Sequence, residues 1–98
     1  MKLKKRQLPD GSFVPSEQAA AILADIQMSG YSMVWRDAKG GMKRNAFLRN
    51  DSARYSYTYE PESDEWRIWD RTGNVPSRVM LTWRFATYIS RNKEVLNA

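Results

Sequence analysis

Arg54-Tyr55-Ser56-Tyr57-Thr58-Tyr59 alternates without a fault, an aromatic ring at every second position and an arginine or small hydroxyl between. Only an extended strand sends such a pattern to two different surfaces, because its side chains repeat every two residues. Asn50-Asp51-Ser52 stands before it and Glu60-Pro61-Glu62-Ser63-Asp64 after it, both rich in turn residues. A single hairpin is marginal in water, so this strand requires more strands and a covering layer.

The neighbouring segments supply them. Tyr31, Met33 and Trp35 alternate with Ser32 and Arg36, and Lys39-Gly40-Gly41 then offers a turn before Met42–Arg49. After the acidic turn, Glu65–Asp70 returns with Trp66, Ile68 and Trp69. These segments predict a four-stranded antiparallel meander.

A helix precedes the sheet. Ser16 can cap it by accepting a free backbone N–H, and Glu17 suits the positive end of its dipole. Ala19, Ile22, Leu23 and Ile26 share one face, and Gly30 closes the helix. Ser77 to Ala98 holds no Gly or Pro and is too long for an ordinary strand, so it reads as a second helix capped by Ser77. On that reading Leu81, Phe85, Tyr88, Ile89, Asn92 and Leu96 share one face. The competing pattern, Val79, Leu81, Trp83 and Phe85 at period two, belongs to a strand. The expected fold is a two-layer α+β domain over residues 16–98, with both helices on one sheet face. Residues 1–15 form a basic arm with a short hairpin turning at Pro9-Asp10-Gly11.

Composition narrows the chemistry. With no Cys and no His, disulfide scaffolds, thiol enzymes and the commonest zinc ligands and general bases are excluded. Ser90-Arg91-Asn92-Lys93 has the Ser-x-x-Lys spacing, but the companion elements such enzymes need are absent from the sequence. The acidic run Glu60–Glu65 lacks the order of a calcium loop, and Gly40-Gly41 lacks the strand–loop–helix setting of a phosphate loop. A non-enzymatic protein is expected, with no metal or cofactor. No apolar run reaches the length of a membrane span. The basic first residues are not followed by the apolar stretch of a secretory signal, so a cytoplasmic protein is expected.

Charge indicates where such a protein would act. Residues 1–49 carry nine Lys and Arg against four acids, whereas residues 50–98 carry seven of each. The excess lies in the arm, at Lys2, Lys4, Lys5 and Arg6, and in the hairpin, at Arg36, Lys39, Lys43, Arg44 and Arg49. Such clusters fit phosphate contacts to DNA or RNA, although they also suit a solvated arm and a protected hairpin. Tyr55, Tyr57 and Tyr59 share one face, either as core or as a row on which unpaired bases stack. On the helical reading, Trp83 points away from the apolar face and lies near Val79, which marks an interface with a larger protein complex or a second copy of the chain. Two functions are therefore expected: nucleic-acid binding first, and a protein-interaction module, an inhibitor or adaptor docking through Trp83 or the open sheet face, second.

Overall fold

The computed structural model describes residues 6–8, 13–37 and 44–91. Helix α1, Glu17–Met28, is followed by strands β1 (Ser32–Asp37), β2 (Arg44–Arg49), β3 (Tyr55–Glu60), β4 (Glu65–Asp70) and β5 (Arg78–Leu81), and then by helix α2 (Thr82–Arg91). The strands form one antiparallel sheet in the order β1-β2-β3-β4-β5. The architecture is α+β, as expected, but the sheet has five strands rather than four.

The fifth strand comes from the C-terminal segment. Both patterns in residues 77–91 are real, and they apply in succession: period two holds through Leu81 and helical spacing begins at Thr82. Ser77 is therefore not a helix cap. Leu81, expected on the buried helix face, is instead 47 % exposed on the sheet. The register explains the switch. Trp66 lies opposite Met80 and Arg67 opposite Val79, while the Thr82 N–H makes a further bond to Asp64 O at 3.2 Å. The rest of the expected helix, residues 92–98, lies outside the described residues.

Helix α1 forms as its sequence predicts. Ser16 Oγ accepts the Ala19 N–H at 3.1 Å, and Gly30 takes φ +97 just past the helix, a conformation that costs glycine little. Ala19, Ala20, Ile22, Leu23 and Ile26 are buried, and each large aliphatic side chain stabilises the fold by about 1.5–3 kcal/mol. Tyr57, Tyr59, Trp66 and Ile68 from the sheet and Phe85 from α2 complete the same core. Trp66 stacks on Phe85 with ring centroids 4.4 Å apart. The two helices pack against each other on this side of the sheet.

The N-terminal hairpin is tied to this core. Gln7 pairs with Phe13 across its base, and Leu8 and Val14 are buried among the core residues. Its turn, residues 9–12, lies outside the described residues.

Candidate functional site

The helices cover one face of the sheet, and strand alternation sends the remaining side chains to the other. Three rows run across that second face. Ser32 pairs with Arg49 on one side of it, and Ser56 with Trp69 on the other. Val34, Phe47, Thr58, Arg67 and Val79 are successive partners across all five strands and form the middle row. Arg36 with Asn45, and Glu60 with Glu65 and Leu81, form the third. Val34 is 50 % exposed, Trp69 44 % and Val79 47 %. No described helix lies over this face.

Arginine and aromatic side chains meet there. The Arg36 guanidinium lies over the Phe47 ring, 5.4 Å from its centroid, and that of Arg67 over the Trp69 ring at 5.3 Å. Such pairs attract because the ring face is electron-rich, by about 0.5–1 kcal/mol at exposed sites. The Trp69 indole N–H donates to Thr58 Oγ at 2.8 Å, which draws the indole diagonally across β3. Arg67 also donates to Ser77 Oγ at 3.3 Å, and Arg49 faces Asp51 at 3.6 Å in an exposed pair. A cavity of about 260 Å³ opens between Phe47, Thr58, Trp69 and the two carboxylates of Glu60 and Glu65.

The sequence-predicted basic set divides. Arg36 and Arg49 share the open face. Arg44 does not join them, because its partner is Asp37 and its guanidinium lies over Trp35, 5.4 Å away, on the helix side. Arg6 is exposed near the N-terminal hairpin, and Lys4, Lys5, Lys39 and Lys43 lie outside the described residues. All six lysines of the chain do so, whereas all ten arginines are described.

The tyrosine row belongs to the core. Tyr57 is 1 % exposed and Tyr59 fully buried, and Tyr55 packs against the same cluster. The stacking alternative for Tyr55, Tyr57 and Tyr59 is corrected accordingly: their rings face the helices. Burial, with the hydrogen bond to Asp64 second, raises the Tyr59 hydroxyl well above its ordinary range.

Trp83, in the first turn of α2, is 62 % exposed, as expected for a residue turned away from the core. Val79 is not its helical neighbour but a strand residue. The two line one groove of about 570 Å³ along β5, with Leu81, Glu65, Arg78 and Arg84.

Sequence reasoning missed Phe47, Arg67 and Trp69. The signal was present in parity: Trp66 and Ile68 occupy one face of β4, so Trp69 must occupy the other with Arg67. No family model matches the chain, nor does any curated protein or solved structure. Among the described residues, no helix is long and apolar enough to cross a membrane.

Proposed function

We propose that this chain is a small, non-enzymatic nucleic-acid-binding accessory protein whose contact surface is the open sheet face. The observation that carries the reading is the placement of Arg36, Arg49 and Arg67 on one face, two of them lying over aromatic rings. Guanidinium groups on a flat surface suit phosphate oxygens, and the formal charge of +5 favours approach by a polyanion. Arg6 and the lysines of the arm and hairpin would add to that attraction. An electrophoretic shift of short DNA and RNA probes at low salt tests the reading. Retardation by micromolar protein that weakens steeply with salt is expected, and no shift with any probe overturns it.

A second reading rests on a separate observation. The groove beside β5 brings the exposed Trp83 and Val79 together with Leu81, and Trp is enriched where proteins bury surface. On this reading the chain docks on a larger protein as an inhibitor or adaptor. A pull-down with and without nuclease separates the two, since a protein retained in stoichiometric amount after nuclease treatment supports the second.

A further inference from the structure

The open face carries features that phosphate binding alone does not use. Phe47 on β2 and Trp69 on β4 stand on either side of Thr58, with β3 between them. Neighbouring strands lie about 4.8 Å apart, so the two backbones are separated by about 10 Å. The indole of Trp69 is held by its bond to Thr58, remains 44 % exposed, and needs little ordering before it can serve as a stacking surface.

From this geometry we infer that the face takes single-stranded nucleic acid, with unpaired bases stacked on Trp69 and Phe47 while Arg36, Arg49 and Arg67 engage the phosphates. The inference rests on the nucleic-acid reading above and adds the state of the strand. Size argues against a duplex. Five strands span about 19 Å, whereas the major groove of B-DNA is about 12 Å wide, so the sheet cannot enter it. A duplex also keeps its base faces stacked inside, where rings on a sheet cannot reach them. An unpaired strand offers those faces, and Arg36 and Arg67, which lie over the rings in the free protein, exchange the ring face for phosphate oxygens as a base takes their place.

Charge sets the path. Glu60 and Glu65 face each other in the register and repel phosphate from their corner of the sheet. The strand is thereby confined to the side bearing Arg49 and Trp69 and to the middle row with Phe47 and Arg67, with Arg36 beyond. Recognition through base faces and phosphates uses chemistry that DNA and RNA share, so both are ligands.

Fluorescence anisotropy of the full chain with labelled oligothymidine, oligouridine and a mixed-sequence duplex of equal length tests the inference. Both single strands should bind at least about tenfold more tightly than the duplex at low salt. Trp69→Ala and Phe47→Leu should each weaken single-strand binding by about tenfold and leave duplex binding little changed. Trp69→Phe keeps a ring without the indole N–H and should retain most of the affinity, which guards against a folding defect in the alanine variant. Equal affinity for duplex and single strands, or ring variants that bind as the wild type does, would overturn the inference and leave the nucleic-acid reading standing. Absence of binding to all three probes removes both.

Discussion

Trp66 on β4 donates its indole N–H to Thr82 Oγ, at the first residue of α2, across 2.8 Å inside the core. The Thr82 hydroxyl in turn donates a hydrogen bond to Asp64 Oδ1 at 2.7 Å, and the same oxygen accepts one from the Tyr59 hydroxyl at 2.5 Å. Four residues from β3, the β3–β4 turn, β4 and α2 are thus closed into one network. Asp64 takes φ +56 to reach it, a left-handed conformation that Asp tolerates better than most side chains. The network sits where the chain leaves β5, so it holds the last helix against the sheet.

Thr82→Val keeps the shape of the side chain and removes its hydroxyl. The Trp66 N–H is then buried without a partner, which costs about 1–3 kcal/mol. Thr82→Ser should recover most of that loss. Denaturant unfolding of the three proteins measures it, and a valine variant as stable as the wild type would show that the network does not hold the junction.

Two neighbouring tyrosines should respond oppositely to loss of their hydroxyls. Tyr59→Phe deletes the bond to Asp64 and should cost about 1 kcal/mol or more. The Tyr57 hydroxyl is buried beside that of Tyr31 without a well-formed hydrogen bond, so Tyr57→Phe should be neutral or stabilising by up to about 1 kcal/mol. Unfolding midpoints of the pair decide it, and equal losses would contradict the assignment.

Most of the fold is legible in the sequence because its signals agree locally. Around Ser16 and Gly30 the cap, the helical period and the terminator all mark the same helix, and the alternation of residues 54–59 admits only a strand. The β5–α2 junction is different. Val79 and Leu81 fit a strand, Phe85 and Tyr88 fit a helix, and no Gly or Pro separates the two. The break is made by Thr82 reaching Asp64, a tertiary contact with no local signature. The open face was half legible. Arg36 and Arg49 stood out as charges, but choosing Trp69 over the more conspicuous tyrosines requires knowing which face of the sheet the helices cover.

The loop after β4 makes acid stability predictable. Asp70 accepts two bonds from Arg54, each 3.0 Å, and further bonds from Thr72 and Val75. The hydrogen bonds from Arg54 first, then those from Thr72 and Val75, hold its carboxyl far below the ordinary carboxylate range. A depressed folded-state pKa stabilises the fold above the unfolded value, about 3.9, and the stabilisation is lost as pH falls towards the folded value. The melting-temperature gap between wild type and Asp70→Asn should be widest near neutral pH and narrow below about pH 4. A gap independent of pH would show that the charge contributes nothing.

Salt dependence measures how many arginines meet phosphate. If Arg36, Arg49 and Arg67 each neutralise one, log affinity for a single strand should fall with log salt at a slope of about −2. Replacing any one by Ala should flatten the slope by about 0.7. Arg44→Ala provides the contrast, since its guanidinium lies over Trp35 on the opposite face and the slope should not change. A slope that responds to Arg44 as strongly as to Arg49 would move the contact surface away from the open face.

Trp83 separates the two functional readings. At 62 % exposure its side chain contributes little to the fold, so Trp83→Ala should shift stability by no more than about 0.5 kcal/mol. Were it a core residue, the same change would cost about 3–5 kcal/mol, and thermal melts readily tell these apart. Nucleic-acid affinity should also be unchanged, because Trp83 stands on α2, outside the sheet, and only Val79 of its groove belongs to the row of Phe47 and Thr58. If the groove docks a protein or a second copy of the chain, the substitution should instead weaken that association by about 2 kcal/mol or more, the size of an interfacial Trp anchor. Sedimentation of the chain alone, and pull-down after nuclease treatment, measure both forms of association. A variant that self-associates and retains protein partners as the wild type does removes the docking reading.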